Sequence, residues 1–385
     1  MALKFRNKYC AQVAALVLCL ALPSLAFAGA KIKIDDTKYF QIGMGFRANL
    51  NTVEDAAPNS TGDDSFDIAV DNMRIYTVSQ VHKNIQIEYN TELSSGTADG
   101  TTDSAMRVRL LDAVAKFNFA PIEVWVGRHL PPSDRSNLDG PFYLNAAYTY
   151  PMIQSFGNLG IFAGRDNGIS IHGDIGGGKF KWAYGAFEGL TGASSADQKD
   201  NLRHTASFTA ALGDPEPGFY TGSTYYGAKN LTTISLVWHH EEDGVGTSGS
   251  PKDFTGVSAD ILIERALGNG AVGTLEGAVY DWDTDDSFDN TITQGESFLV
   301  QASYLMPGKT SIGGGIEGRF QPYVRYQGFN RSMKNDTAKT GYKDSREVGL
   351  NYVIDGFNAK LTGFYKKDED VNSLDTFMLA MQFQL

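Results

Sequence analysis

Residues 85–92 read IQIEYNTE, and apolar and polar side chains alternate along this stretch. Successive side chains of a β-strand point to opposite faces, so the strand has an apolar face (Ile85, Ile87, Tyr89) and a polar face (Gln86, Glu88, Asn90, Glu92). The wall of a transmembrane β-barrel needs both faces, because its exterior contacts lipid and its lumen is wet. The stretch therefore predicts one strand of such a wall.

The same alternation recurs about sixteen times, separated by seven short turns and eight longer polar segments that alternate in order. The 42 glycines and 12% aromatic residues are typical of many strands joined by tight turns. We therefore predict an all-β fold, an antiparallel up-and-down transmembrane barrel of about 16 strands. The predicted strands are 38–51, 67–82, 85–92, 106–119, 122–128, 165–175, 179–187, 202–212, 231–240, 254–265, 271–282, 297–306, 318–329, 345–354, 358–367 and 375–385.

The order of the breaks predicts an orientation. Bacterial barrels place short turns on the periplasmic side and long loops outside, so both termini are expected on the periplasmic side. The last strand, 375–385, alternates up to Leu385 and resembles the assembly signal of outer-membrane proteins, which usually end in Phe.

Residues 1–28 have the pattern of a cleaved secretory signal. Lys4, Arg6 and Lys8 precede an apolar run at 11–22, and Ala26-Phe27-Ala28 fits the small-x-small cleavage pattern. A retained anchor is the alternative, although the run is short for a membrane span. We expect residues 29–385 to form the barrel domain in the outer membrane of a Gram-negative bacterium.

Cysteine and charge exclude several function classes for the mature chain. Cys10 and Cys19 both lie in the signal, so we expect no disulfide and no thiol-based metal or redox site. The formal charge of the whole sequence is −12 and becomes −15 without the three basic residues of the signal. An acidic chain argues against nucleic acid as a partner, and no cofactor is expected.

The third outer loop, 129–164, is the longest, and an unstructured stretch of this length is usually functional. It contains Pro131-Pro132 and the aromatic residues Phe142, Tyr143, Tyr148 and Tyr150. We predict that it folds into the lumen and narrows the pore; an extracellular flap is the alternative.

Four short motifs carry a family resemblance. They are Asn72-Met73-Arg74, the segment 126–132 (VGRHLPP), the segment 165–168 (RDNG) and the segment 318–326 (GRFQPYVRY). With these motifs in this order the chain resembles the phosphate-selective porin O and P family. The resemblance implies a homotrimer of sixteen-stranded barrels in which basic lumen residues aid the passage of anions.

Five charged residues are candidates for a pore constriction. Arg128 and Arg165 flank the long loop, and Asp134, Arg135 and Asp139 lie within it. If the loop folds inward, opposed charges near the narrowest section create a transverse field that orients polar solutes. The alternative is that each arginine fixes the loop to the wall, and the two roles can coexist.

Arg74, Arg109 and Arg325 fall within strands and are candidates for lining the lumen. Arg325 shares its face with Gln321 and Tyr323, and an arginine facing lipid costs roughly 2–4 kcal/mol at the membrane midplane. Acidic residues also occupy predicted inward positions, so we expect weak ion selectivity and no tight block by phosphate.

Neither a metal site nor an active site is expected. The acidic run 281–286 lacks the glycine and the terminal glutamate of a calcium-binding EF-hand loop, so it fits a solvated face, bridged to lipopolysaccharide through divalent ions. His239 and His240 are adjacent in a strand and point to opposite faces. No Ser–His–acid arrangement indicates an enzyme.

The sequence therefore predicts an outer-membrane porin for passive diffusion of small hydrophilic solutes or inorganic anions, with lipid and lipopolysaccharide around it. The alternative is a plugged barrel that acts as a structural or surface-interaction protein.

Overall fold

The computed structural model describes residues 30–58, 62–95, 106–148, 150, 152–153, 164–189, 196–197, 199–216, 218–287, 294–331, 342–369 and 374–385. The predicted signal segment, 1–28, lies outside the described residues, as does 154–163 of the third loop.

Eighteen strands form one antiparallel sheet in the described chain. They are β1 (Ala30–Lys33), β2 (Tyr39–Val53), β3 (Ser65–His82), β4 (Ile85–Ser95), β5 (Met106–Asn118), β6 (Ile122–His129), β7 (Asp166–Ile175), β8 (Phe180–Phe187), β9 (Arg203–Ala211), β10 (Leu231–Thr247), β11 (Ser250–Ala266), β12 (Val272–Asp283), β13 (Gly295–Leu305), β14 (Thr310–Ser311), β15 (Glu317–Arg331), β16 (Tyr342–Asp355), β17 (Ala359–Glu369) and β18 (Leu374–Gln384).

Sixteen of these strands close the barrel, and β1 and β14 are short additions that pair with β2 and β15. Each long strand pairs with both of its neighbours, and β18 returns to β2 with Leu379 opposite Leu50. Closure leaves no unpaired sheet edge, which is required of strands surrounded by hydrocarbon. The all-β, antiparallel sixteen-stranded barrel is thus confirmed.

The two faces of the wall follow the alternation in the sequence. On β4, Ile87 and Tyr89 are 45% and 50% exposed on the outer face, whereas Asn90 and Glu92 are buried on the inner face. The polar side of each strand therefore faces the lumen, and the core of the molecule is polar as well as apolar.

We call the two mouths the short-turn end and the long-loop end. At the short-turn end β7 and β8 are joined through Gly176, Gly177 and Gly178, which all adopt positive φ, a conformation that glycine reaches without a steric cost. Both termini of the barrel lie at this end, where Leu385 N donates to Met44 O.

Helix is scarce among the described residues. The third loop contains one short helix, α1 (Arg135–Leu138), whose first turn is capped by the Asp134 side chain, and a 3-10 turn follows β11. No helix in the described part of the chain is long and apolar enough to cross a membrane.

Two connections differ from the sequence prediction. β10 and β11 continue as a hairpin to Thr247 and Ser250, where a polar loop is predicted from residue 241. The connection from β9 to β10, predicted as a short turn at 214–217, occupies 212–230 and runs into the barrel.

Candidate functional site: the lumen

The described part of the third long loop (residues 130–148, 150 and 152–153) lies inside the barrel. Phe142, Leu144 and Tyr150 are fully buried, and Leu144 and Tyr150 share a cluster with Phe254 and Trp282 of the wall. Phe142 approaches β2 so closely that a Cβ added to Gly45 would stand 2.7 Å from its ring, so this position requires glycine.

Consecutive backbone carbonyls of the third loop are bound by donors from the barrel and from one other segment. In the segment 141–148, which we call the clamped segment, all eight carbonyls accept a hydrogen bond. Arg47 donates to Pro141 O and Ala147 O, Gln382 to Phe142 O, Ser223 N to Tyr143 O, Lys360 to Leu144 O and Ala146 O, Asn351 to Asn145 O, and Arg325 to Tyr148 O.

The clamped segment is therefore held by hydrogen bonds to its backbone, which do not depend on the identity of its side chains. Buried carbonyls need donors, and here most donors are long polar side chains of strands β2, β15, β16, β17 and β18. Arg325 also pairs with Glu347 at 2.6 Å. Strands β10–β13 also contact the third loop. We call the strands β10–β13, β15–β18 and β2 together the clamped wall.

Residues 212–216 and 218–230, which we call the crossing segment, lie across the lumen near the short-turn end. Phe219 packs 5.0 Å from the Trp125 ring on β6 and 4.5 Å from His172 on β7. Near its other end, Tyr226 packs 4.9 Å from Phe357 in the turn between β16 and β17. The segment thus reaches wall strands on both sides of the lumen.

One buried ion pair joins the crossing segment to the third loop. Arg135 donates to both carboxylate oxygens of Glu216, at 2.6 and 2.8 Å, and also to Gly222 O and Thr233 Oγ1. Burial alone raises the pKa of Glu216, but the Arg135 guanidinium outweighs burial and lowers that pKa to about 2. Glu216 is therefore ionised, and the two inward segments are tied by a charge-assisted fork.

Polar contacts extend this junction. Thr221 donates to Asp139 Oδ1 at 2.7 Å, and Ser223 N donates to Tyr143 O at 3.0 Å. Glu264 on β11 holds the crossing segment from the wall, because its carboxylate accepts from Tyr225 N and Gly227 N, both at 2.9 Å. Anchors on two sides make the crossing segment a fixed part of the lumen.

The remaining surface, strands β3–β9, is the open wall. Among the described residues it carries four ion pairs in which at least one side chain keeps some exposure to the lumen. They are Arg74 with Glu92 (10% and 8% exposed), Lys116 with Glu88 (12% and 13%), Arg165 with Asp112 (16% and 1%) and Arg203 with Asp166 (1% and 17%). Charges of both signs therefore alternate along one wall.

The predicted constriction residues do not form one group. Arg135, Asp134 and Asp139 lie in the loop and are 1–2% exposed, and Asp134 caps α1 and accepts from Tyr280. Burial raises the pKa of Asp139 well above its ordinary value. Arg165 pairs with Asp112 on the open wall. Arg128 falls on the outer face of β6, in register with Asn167.

The predicted lumen-lining arginines all lie on the inner face. Arg74 pairs with Glu92, and Arg325 is buried between Glu347 and the clamped segment. Arg109 stands opposite Glu92 in the register and is exposed. No group of three or more metal-binding side chains occurs in the described residues.

Sequence reasoning missed three contributors to the site, namely Asp112, Lys116 and the crossing segment. The two charged residues stand on the polar face of an alternating strand, so parity alone identifies their side of the wall. For the crossing segment, the signal is the interval 218–230, which is too long for a tight turn and contains four aromatic residues without alternation.

Comparisons with known proteins bear on the fold. No protein-family model matches the chain. An uncharacterized protein of Aquifex aeolicus (strain VF5) is 25% identical over 237 residues, 56% of this chain and 53% of that protein. The chain thus spans about half the length of this curated relative.

Solved outer-membrane proteins share the architecture. OmpF of Salmonella typhi, in a complex with daunomycin, has a TM-score of 0.61 at 13% identity over 92% of this chain and 100% of that chain. An anion-selective porin from Comamonas acidovorans has 0.57 at 13%, over 90% and 100%. OmpT of Vibrio cholerae, in its trimer form, has 0.53 at 11%, over 91% and 100%. At such identities the similarity shows the porin-like barrel fold alone.

Proposed function

We propose that this protein is an outer-membrane porin through which small hydrophilic solutes and ions diffuse passively. The observation that carries the proposal is the open wall, because positive and negative side chains there remain partly exposed to the lumen of a barrel whose outer face is apolar. Charged side chains in a narrow wet lumen set which solutes pass. The chemistry needs no cofactor and no catalytic residue.

The cellular setting is part of the proposal. The signal-like residues 1–28 and the barrel together support export to the outer membrane of a Gram-negative bacterium, with lipid and lipopolysaccharide around the wall. A homotrimer is proposed on the family resemblance, and the trimer form of the Vibrio cholerae neighbour is consistent with it.

We further propose weak ion selectivity without a phosphate filter. A phosphate filter needs several free donors that converge on one point. Arg47, Lys360 and Arg325 instead bind carbonyls of the clamped segment, and Arg135 binds Glu216. Four cations of the open wall each have a carboxylate beside them, so neither sign dominates among these pairs, which are those of Arg74, Lys116, Arg165 and Arg203.

Single-channel recording in planar bilayers tests the proposal. We expect stable conductance steps, a small reversal potential under a salt gradient, and no tight block when phosphate is added. Block by phosphate at low concentration would refute the proposed weak selectivity. A reversal potential close to that of a purely anion-selective or purely cation-selective pore would also refute it.

The plugged barrel remains a second candidate, because the crossing segment and the third loop both occupy the lumen and are joined by a buried ion pair. Silence in bilayers, at a loading where a known porin conducts, would favour this candidate over the channel. Recovery of conductance on shortening 218–222 would then identify the crossing segment as the plug.

A further inference from the structure

A cavity of about 230 Å³ lies at the short-turn end, between the open wall and the crossing segment. We call it the short-turn cavity. Strands β7–β10 form its sides with Lys181 and Ser207, the third loop closes it with Ser133 and Leu138, and Phe219 of the crossing segment covers it. The crossing segment therefore forms one side of the cavity.

The aromatic side of the cavity is rigid. His172 hydrogen-bonds Ser170 Oγ at 2.6 Å, and Ser170 Oγ bonds His129 at 2.7 Å. His129 Nδ1 lies 3.0 Å from Gly127 O, so this nitrogen carries the proton and donates it to the carbonyl. The three hydrogen bonds therefore all run in one direction, from His172 through Ser170 to His129. Phe219 packs on His172 and Trp125, so its ring is held as a flat apolar surface.

The polar side offers both donors and acceptors. The Lys181 ammonium donates to Gly218 O at 3.1 Å and forms no ion pair with any described carboxylate, so it has donors to spare. Five hydroxyl groups line the cavity, and the acidic residues Glu123 and Asp174 border it. The hydroxyl groups belong to Ser133, Ser207, Thr209, Thr221 and Ser235.

We propose that the short-turn cavity binds a single sugar ring, an uncharged polyhydroxylated solute, and so gives the porin proposed above a substrate class. A hydroxyl group accepts from Lys181 and donates to Glu123 or Asp174, whereas an anion satisfies only the lysine and a cation only the carboxylates. The apolar C–H face of a sugar ring packs on the Phe219 ring. The volume accommodates one sugar ring.

Sugar-induced current noise in planar bilayers tests this proposal with D-glucose, open-chain sorbitol and potassium phosphate as probes at constant salt. We expect glucose to interrupt the current more strongly than the other two. Lys181→Met should weaken glucose binding about tenfold, the usual loss for one hydrogen bond to a charged group. Ser207→Ala is a milder variant, with a loss of about threefold.

Lys309→Met is the matched control, because Lys309 is an exposed lysine at the same end and does not line the cavity. Equilibrium dialysis of detergent-purified protein with radiolabelled glucose measures binding independently of conduction. A channel that conducts but neither binds nor responds to glucose overturns the sugar site and leaves the porin standing. Equal responses to sorbitol and glucose, or an equal loss in both lysine variants, also overturn the site. A silent barrel that still binds glucose supports the site while the porin proposal fails.

Discussion

The clamped wall and the open wall use the same residue types for opposite purposes. Arg325 and Lys360 on the clamped wall are 3% and 2% exposed and donate to backbone carbonyls of the third loop. Lys116 and Arg165 on the open wall keep 12% and 16% side-chain exposure and pair with the carboxylates of Glu88 on β4 and Asp112 on β5. An inward basic residue therefore indicates a selective pore only when no buried backbone lies in front of it.

The junction between the two inward segments should give the largest effect. Arg135→Met leaves Glu216 and Asp260 as buried carboxylates without their cation, and breaking one side of a buried pair costs about 3–5 kcal/mol. We expect a clearly lower unfolding temperature on heat-modifiability gels. Arg346→Met is the control, since that side chain is 57% exposed and should change stability by less than about 0.5 kcal/mol. Equal melting of the two variants would contradict a structural role for Arg135.

The carbonyl clamp should come next. Lys360→Met removes the donor from Leu144 O and Ala146 O, and each buried carbonyl left unpaired costs about 1–3 kcal/mol. Because the variant no longer has to bury an ammonium group, part of this cost is offset, and we expect a net loss of roughly 2–4 kcal/mol. Loosening of the loop should also appear as flickering of the open-channel current. Lys366 lies on the same face of β17 but is 21% exposed and pairs with Asp368. Flickering of similar size in Lys366→Met would show that a lost lumen charge, and not the clamp, is the cause.

How far the sequence predicts this molecule depends on which interactions are local. Alternation is a local property, and it located all sixteen barrel strands, among them 122–128 against Ile122–His129 and 375–385 against Leu374–Gln384. Which partner an inward charge meets is not local. The residues paired in Arg135–Glu216 stand 81 positions apart, and those in Lys360–Leu144 stand 216 apart. Strand parity assigns such residues to the lumen but does not distinguish clamping from lining.

A substitution in the open wall should change the ion selectivity of the pore and leave the stability of the barrel almost unchanged. Glu88→Gln removes one negative charge beside Lys116, and one unit charge at about 4 Å in water is worth about 1 kcal/mol, a factor of about five in ion concentration. We expect the reversal potential to shift in the direction of greater anion permeability. The ratio of anion to cation permeability should rise by at most this factor of about five. Glu317→Gln removes an exposed carboxylate at the short-turn end and serves as the control. If the two variants shift the potential equally, the open wall is not where ions are selected.

The smallest effect should be the acid sensitivity of the junction. The pKa of Glu216 falls from 4.5 to about 2 on folding, so its stabilisation is present above pH 4.5 and is lost as the pH falls towards 2. Between pH 7 and pH 4 this amounts to about 0.8 kcal/mol. Burial raises the pKa of Asp139, which therefore acts in the opposite direction, but Asp139 is present in both wild type and Glu216→Gln. The difference between their unfolding free energies, measured by urea titration at both pH values, should therefore shrink by about 0.8 kcal/mol at pH 4. A difference that stays constant or grows would mean that Glu216 is not ionised inside the barrel. The two hydrogen bonds from Arg135 would then be made to a neutral carboxyl group.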